Sequence, residues 1–187
     1  GSEMCIRDRG YEIANVTVDG ADLGPISYYT FQRVGVDHTI SATFQKAQQS
    51  GDVVLFDIGG RRRNYCSDMT RTFFWGEPDE ETARIYDIVR RANEAAEALI
   101  APGVRMCDLD RAARDVIEDA GYGQYFTHRL GHSIGLQDHE PGDVSLVNEQ
   151  VVEPGMTFSI EPGIYLPGHT GVRIEDLALV TESGVEI

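Results

Sequence analysis

Four acidic residues stand in or beside apolar, strand-like stretches of this chain, and no other feature restricts its fold as strongly. They are Asp57, Asp68, Glu161 and Glu175. An unpaired carboxylate in such surroundings is costly to bury. Three of the five histidines lie close together, at positions 128, 132 and 139. Each histidine alone would be an ordinary surface residue. Because neutral imidazole is a frequent metal ligand, the acids and histidines together favour a metal centre.

The net charge argues against two kinds of partner. The 187 residues carry 16 basic and 31 acidic side chains, a formal charge of −15. Such a charge disfavours non-specific binding to nucleic acid or to anionic membranes, and we expect neither partner.

No apolar run approaches the ~20 residues that a membrane-spanning helix needs, and no signal peptide is evident. Three cysteines at unrelated spacings predict no disulfide framework, so a reducing, cytoplasmic setting is expected.

The length suits a single domain, but the first nine residues are set apart. Gly1 and Ser2 resemble a cloning scar, and residues 4–9 resemble a translated sequencing adapter. We therefore treat residues 1–9 as an artefact outside the fold. Residues 10–187 are expected to form one domain that lacks part of its natural N-terminal portion.

The first two acids are predicted to lie on a hairpin. Residues 53–58 form a continuous apolar run of strand length that ends at a pair of glycines. A polar connection over residues 61–67 leads to a second strand over residues 68–75. This arrangement places Asp57 near the end of one strand and Asp68 at the start of the next, where both carboxylates can reach one site.

Two helices are predicted after the hairpin. Asp79 is a suitable N-cap, and apolar residues recur at helical spacing over residues 86–99. A second helix is predicted over residues 108–120 and ends before a glycine. Its predicted inward residues are Leu109, Ala112, Val116 and Ala120. Neither helix carries convergent polar chemistry, so both are predicted to be packing elements. Strands that carry the acids precede and follow these helices, which predicts an α+β fold.

The composition of the candidate centre favours some metals and excludes other mechanisms. Carboxylates with one imidazole suit divalent manganese, cobalt or zinc. A set of four carboxylates and one imidazole is too acidic for a typical structural zinc site. It suits a centre of two metals ~3.5–4 Å apart. His128 and His132 have the spacing of a zincin helix, yet no Glu follows His128 and Gly131 disfavours a helix.

Five motifs, in order along the chain, carry a family resemblance. They are Asp57-Ile-Gly, the run from Tyr65 to Thr72, Gly131-His-Ser-Ile-Gly135 with His139-Glu140, Ile160-Glu-Pro-Gly-Ile-Tyr165, and Gly171-Val-Arg-Ile-Glu-Asp176. Together they resemble the pita-bread metallopeptidases, which include Xaa-Pro aminopeptidase, Xaa-Pro dipeptidase (prolidase), methionine aminopeptidase and creatinase. The resemblance covers roughly residues 51–187. It implies a pita-bread fold that is truncated at its N-terminus.

The resemblance implies a centre of two divalent ions, with manganese preferred and cobalt or zinc as alternatives. Asp57 would bind one metal, and Asp68 and Glu175 would bridge both. His132 and Glu161 would complete the shell of the other metal. All five ligand positions of the family are occupied in this sequence. A hydroxide that bridges the metals would be the nucleophile.

The resemblance also implies catalytic and substrate-binding residues. Glu161 would shuttle a proton, and His139 would stabilise the tetrahedral intermediate. His128 and Arg173 would line the substrate site or contact the metal ligands and hold them in position. Relatives carry another substrate-contacting histidine before the first Asp, and His38 is the candidate for it here. An ordinary loop histidine is the alternative for His38.

The motifs around the ligands resemble the proline-peptidase branch more than the methionine aminopeptidases. The predicted function is therefore an exopeptidase that hydrolyses the bond preceding proline in Xaa-Pro peptides. The expected substrate is a proline-containing peptide, and the parent protein is expected to be a homodimer. Two alternatives stay open: a methionine aminopeptidase-like exopeptidase, and a non-catalytic member that binds peptides or proteins. The intact ligand set disfavours the second alternative, because such members have typically lost ligands.

Overall fold

The computed structural model describes residues 11–24, 39–46 and 51–187. Residues 1–9 and the predicted substrate residue His38 lie outside these ranges. In chain order the elements are β1 (Tyr11–Val18), β2 (Ala21–Asp22), β3 (Ile40–Lys46), β4 (Asp52–Arg62), β5 (Tyr65–Trp75), α1 (Glu80–Glu97), α2 (Met106–Asp119), a short 3-10 helix (Gly123–Tyr125), β6 (Gly131–Ser133), β7 (Glu140–Val144), β8 (Thr157–Ile160), β9 (Gly163–Leu166), β10 (Thr170–Arg173), β11 (Asp176–Thr181) and β12 (Gly184–Glu186).

β4 and β5 form the predicted hairpin, but the hairpin is longer than the sequence pattern indicates. Antiparallel pairing continues to Arg62 opposite Tyr65, so most of the stretch predicted as a polar connection is strand. The turn consists of Arg63 and Asn64, whose φ angles are 49° and 72°. Positive φ at both central residues suits a two-residue turn, because its twist matches that of the adjoining strands. The two hairpin carboxylates therefore lie within strands and not at strand ends.

The hairpin meets the rest of the fold beside its carboxylates. The largest sheet among the described residues has the strand order β12-β11-β8-β6-β7, and its neighbours pair antiparallel. An isolated bridge joins Thr70 of β5 to Glu175, which directly precedes β11. Within the hairpin, Thr70 pairs with Asp57 and Asp68 pairs with Gly59. This topology brings acids from distant parts of the chain to one place.

The helices share a core with the larger sheet. Side chains that are at most 1% exposed come from α1, α2 and β8, among them Ile85, Val89, Leu109, Phe158 and Ile160. Each side chain of this size contributes about 1.5–3 kcal/mol when it is fully buried. The core therefore fixes the strands that carry the functional residues.

The two helix predictions differ in their accuracy. Asp79 caps α1 as predicted, because its Oδ1 accepts a 2.9 Å hydrogen bond from Thr82 N. α2 begins at Met106, earlier than the predicted start at residue 108. Its buried face contains Leu109, Ala113 and Ile117, so the predicted inward positions after Leu109 were wrong. The same face also buries the acidic residue Asp110.

The remaining sheet is small and lies at the start of the described residues. β1 coincides with the strand-like alternation of residues 11–18, and it pairs antiparallel with β2 and β3. Val16 and Val18 are buried. Within the described ranges, no helix combines the length and apolar character required to cross a membrane.

Candidate metal centre

Three of the five predicted ligands form a compact cluster. One ligand atom from each of Asp68, His132 and Glu175 lies within 4.8 Å of the others. The hairpin strand β5 carries Asp68, the short strand β6 carries His132, and Glu175 stands just before β11. Glu175 is 2% exposed and His132 is 3% exposed. The fold thus gathers two carboxylates and one imidazole at a site shielded from water.

Glu161 joins this cluster through His132 and a serine that the sequence analysis did not identify. The His132 Nε2 atom lies 3.6 Å from Glu161 Oε1 and 3.7 Å from Asp68 Oδ2. Ser159 Oγ donates a 3.0 Å hydrogen bond to Glu161 Oε1 and accepts one of 3.0 Å from the backbone N of His132. Ser159 therefore orients a carboxylate from its own segment and the backbone of the adjacent strand.

Asp57 reaches the same centre through Arg173. Arg173 Nη2 donates a short hydrogen bond to Asp57 Oδ2, and its Nε lies 4.0 Å from Glu161 Oε2. The same Nε donates a 3.0 Å hydrogen bond to Thr70 Oγ1, which in turn donates one of 2.7 Å to Glu175 Oε2. Arg173 was predicted to line the substrate site or to support the ligands. The structure places it against the proposed ligand carboxylates.

The electrostatics of the cluster fit a bound dication. Burial, followed by repulsion from Glu161 and Asp68, raises the pKa of Glu175 to about 8. Burial also raises the pKa of Asp57, although the neighbouring Arg173 opposes this shift. Crowded, buried carboxylates with one imidazole are the donors that hard divalent cations prefer. A cation among them would neutralise charge that the protein side chains leave uncompensated.

His132 is held by its neighbours in a favourable position for a ligand. Burial lowers the pKa of His132, but the nearby Asp68 carboxylate and a hydrogen bond to the Ser133 carbonyl outweigh burial, so its pKa lies above the ordinary value. The Ser133 carbonyl lies 3.2 Å from Nδ1. That contact leaves Nε2 directed at the acidic cluster. Nε2 is therefore the atom that would bind a metal.

His139 lies at the edge of the centre and not within it. Its ring stacks on that of His132 with a centroid distance of 4.0 Å and an interplanar angle of 28°. The His139 side chain is 63% exposed. This position is compatible with contact to a substrate beside the ligands, as its predicted role requires.

His128 belongs to a second, half-buried arrangement next to the centre. Its Nε2 atom lies 2.9 Å from the Tyr165 hydroxyl, and its Nδ1 lies 2.7 Å from the Arg129 carbonyl. The Phe126 ring meets the His128 ring edge-to-face at 5.1 Å. Burial lowers the pKa of His128, so the imidazole is neutral near pH 7.

The structure adds residues to which the sequence analysis gave no role. They are Thr70, Ser159, Tyr165, Asp110 and Arg114. Thr70 shares a strand face with Asp68 because side chains at i and i+2 point the same way, and this signal was present in the sequence. Asp110 and Arg114 stand at i and i+4 on α2 and form an ion pair, and Ser159 stands two residues before Glu161, so local signals were present for them too. Tyr165 contacts His128 from a distant segment, and the sequence holds no local signal for that contact.

An α+β fold in which separate segments bring carboxylates and one imidazole to a buried centre fits the pita-bread metallopeptidases. The sequence matches metallopeptidase family M24 over residues 12–182. The chain therefore belongs to this family.

The structural relatives with named activities belong to the proline-peptidase branch. An uncharacterised peptidase of Staphylococcus epidermidis is 55% identical over 139 residues, which are 74% of this chain and 40% of that protein. The prolidase from Pyrococcus furiosus is 45% identical, with a TM-score of 0.72 over 74% of this chain and 41% of that chain. The Xaa-Pro dipeptidase from Bacillus anthracis is 43% identical, with a TM-score of 0.72 over 78% and 41%. These likenesses confirm the predicted fold class and branch.

The comparison also shows how much of its relatives the chain represents. It spans about 40% of the length of the curated relatives that it matches. The matches therefore establish the fold and the family of this chain. The activity, substrate and partners of the whole protein are proposals.

Proposed function

We propose that this chain carries the metal centre of an exopeptidase that hydrolyses the peptide bond preceding proline in Xaa-Pro peptides. The observation that carries the proposal is the convergence of Asp68, His132 and Glu175 within 4.8 Å, with Glu161 next to His132. The fifth ligand candidate, Asp57, is linked to the same carboxylates through Arg173. The likeness to prolidases and an Xaa-Pro dipeptidase supports the choice of substrate.

These five residues would hold two divalent cations, with manganese preferred and cobalt or zinc as alternatives. When bound, such ions act as Lewis acids toward the scissile carbonyl and lower the pKa of water toward neutrality. Five protein ligands with four carboxylates supply the negative charge that two dications require. The number and identity of the ions, the homodimer and the cytoplasmic setting stay predictions.

The side chains around the ligands have distinct proposed tasks. Glu161 would take and return a proton at a carboxylate oxygen, while the Ser159 hydroxyl keeps that carboxylate in place. His139, exposed beside His132, would donate a hydrogen bond to the oxygen that gains negative charge. His128 would contact the peptide. Arg173 has a positioning task, because its donors already bind Asp57 and Thr70.

A metal-reconstitution assay tests the proposal. The protein is stripped with a strong chelator, supplied with manganese, cobalt or zinc, and assayed with Xaa-Pro dipeptides, Xaa-Pro-Yaa peptides and Met-Ala peptides. We expect chelation to abolish cleavage and manganese or cobalt to restore it for proline-containing substrates. Glu175→Gln should lower metal content and rate together, while Glu186→Gln, at an exposed position on β12, serves as the matched control.

Three results would contradict the proposal. Full hydrolysis by metal-free protein would exclude the metal-dependent mechanism. Faster cleavage of Met-Ala peptides than of any Xaa-Pro peptide would favour the methionine aminopeptidase alternative. Metal binding without hydrolysis of any peptide would favour the non-catalytic alternative.

A further inference from the structure

Helix α2 carries a buried ion pair that the predicted packing role does not explain. Arg114 Nε lies 2.9 Å from Asp110 Oδ1, and Arg114 Nη2 lies 3.3 Å from Asp110 Oδ2. The Asp110 side chain is 0% exposed, and the Arg114 side chain is 13% exposed. A buried ion pair is weak as a source of stability, because desolvation of the charges cancels much of their attraction. Its contacts therefore need a separate explanation.

Among the described residues, the other side-chain hydrogen bonds of this pair go to one short connection, residues 126–130. Asp110 Oδ2 accepts a 2.9 Å hydrogen bond from Leu130 N. Arg114 donates hydrogen bonds of 3.1 Å to the Phe126 carbonyl and 3.0 Å to the His128 carbonyl. The guanidinium carbon also lies 4.2 Å from the centroid of the Phe126 ring. Three backbone groups and one ring of the connection are thus held by one turn of α2.

This connection determines how His128 is presented. The Arg129 carbonyl is 2.7 Å from His128 Nδ1, and a carbonyl accepts but cannot donate. Nδ1 must therefore carry the proton, and Nε2 accepts from the Tyr165 hydroxyl at 2.9 Å. The ion pair binds backbone groups on both sides of this carbonyl, at His128 and Leu130.

The same connection reaches the metal-site segment. The Leu130 carbonyl accepts a 2.8 Å hydrogen bond from the backbone N of Glu161, and Leu130 is followed directly by β6, which carries His132. A path of hydrogen bonds therefore runs from Asp110 through both backbone groups of Leu130 to Glu161. The helix supports the substrate-contacting histidine and a proposed metal ligand together.

We propose that Asp110 and Arg114 are positioning residues that hold His128 as its Nδ1–H tautomer, with Nε2 bonded to Tyr165, and fix the backbone of Glu161. The geometric part of this inference stands without any activity. Its consequence for turnover rests on the proposed function, in which His128 contacts the peptide.

Long-range proton–nitrogen NMR of the histidine rings tests the inference on the complete ¹⁵N-labelled chain. The His128 signals are assigned by comparison with His128→Gln. Arg114→Lys keeps a charge beside Asp110 but lacks the planar fork that reaches two carbonyls, and Arg114→Met removes the charge. Arg111→Lys and Arg111→Met change an exposed arginine on the same helix and are the matched controls.

We expect one protonated Nδ1 and one unprotonated Nε2 for His128 in the unmodified chain and in both Arg111 variants. In Arg114→Lys this single-tautomer pattern should be lost, while circular dichroism shows a folded protein. In an active preparation, kcat/KM for alanyl-proline should fall about 10- to 100-fold, as expected for misplaced binding groups. Much of that fall should lie in KM.

Three results would overturn the inference. One is an unchanged Nδ1–H tautomer in folded Arg114→Lys or Arg114→Met. Another is the same loss of pattern in the Arg111 variants. The third is failure of both Arg114 variants to fold, which would make the ion pair a stability element. If the unmodified chain cleaves no peptide with any metal, the proposed function fails, but the NMR comparison still decides the positioning role.

Discussion

Thr70 Oγ1 donates a 2.7 Å hydrogen bond to Glu175 Oε2 and accepts one of 3.0 Å from Arg173 Nε. A hydroxyl has a single hydrogen to donate, so the donor from Arg173 directs that hydrogen toward Glu175. Thr70 is 0% exposed, and water does not compete for either bond. The orientation of the proposed ligand Glu175 therefore depends on Thr70. This threonine stands two residues after Asp68, another proposed ligand.

Replacing this hydroxyl should weaken metal binding. We predict that Thr70→Val lowers manganese affinity about 10- to 100-fold, as for other residues that orient a ligand, because Glu175 loses its only side-chain donor among the described residues. Thr70→Ser keeps the hydroxyl and should retain most of the affinity. Calorimetric titration of chelator-treated protein measures the effect, and Thr181→Val, at the far end of β11, is the matched control. Equal affinity in Thr70→Val and the unmodified protein would contradict the prediction.

Ligand and oxyanion roles should separate in two variants. Glu175→Gln removes a charge from the buried cluster and should reduce both bound metal and rate. His139→Ala removes an exposed ring that stacks on His132. It should leave metal content nearly intact while lowering kcat, because oxyanion stabilisation acts in the transition state. Elemental analysis with steady-state kinetics measures both quantities. Equal metal depletion in the two variants would refute this division of roles.

Glu97 should make the stability of the fold depend on pH. Its Oε1 atom is buried, and no hydrogen-bond donor among the described residues reaches it. Burial, followed by repulsion from Asp176 and Glu94, raises the pKa of Glu97 from 4.5 to about 7. Below pH 4.5 the carboxyl is protonated in both the folded and the unfolded chain. As the pH rises to 7, the unfolded chain ionises first, so this group's contribution to stability is lost.

Glu97→Gln tests that pH dependence. The variant should gain about 1–2 kcal/mol of unfolding free energy relative to the unmodified protein at pH 8, after allowance for solvent screening of a half-buried carboxylate. At pH 4 the two proteins should differ little. Urea denaturation at both pH values measures the effect, and Glu186→Gln is the control. A gain that is the same at pH 4 and pH 8 would show that packing, and not ionisation, is responsible.

The outward face of the hairpin should promote self-association. Phe73 and Trp75 of β5 are 53% and 50% exposed. On β4, Phe56 contributes to the same face, since its ring packs edge-to-face on Phe73 at 5.5 Å between centroids. Exposed apolar patches of a few hundred Å² commonly mark interaction or aggregation sites. We therefore expect concentration-dependent association of the chain.

A charge on this face should suppress the association. Phe73→Lys should shift the sedimentation profile toward monomer, because a lysine on an exposed strand face opposes contact between copies. Val147→Lys, at an 87% exposed loop position, changes the net charge equally and should have little effect. A similar shift in both variants would attribute association to net charge and not to the hairpin face.

Local sequence patterns predicted much of the framework. The apolar run around Asp57, the cap at Asp79 and the helical spacing after it each reflect interactions within a few residues. Such interactions are readable in order along the chain. The turn at Arg63 and Asn64 was missed, because neither residue is glycine and the polar stretch resembled a longer loop. The phase of α2 was also misjudged, since Ala113 and Ile117 are buried where Ala112 and Val116 were expected to be.

The sequence by itself determined which residue types are available for metal chemistry and, through the family resemblance, which five carry the proposed ligand roles. Only the tertiary structure decided how those side chains are held. The bond between Thr70 and Glu175 spans 105 positions, and that between Arg173 and Asp57 spans 116. Contacts of this kind depend on how strands from separate segments pair and on which groups burial leaves without water. Neither property is contained in the spacing of neighbouring residues.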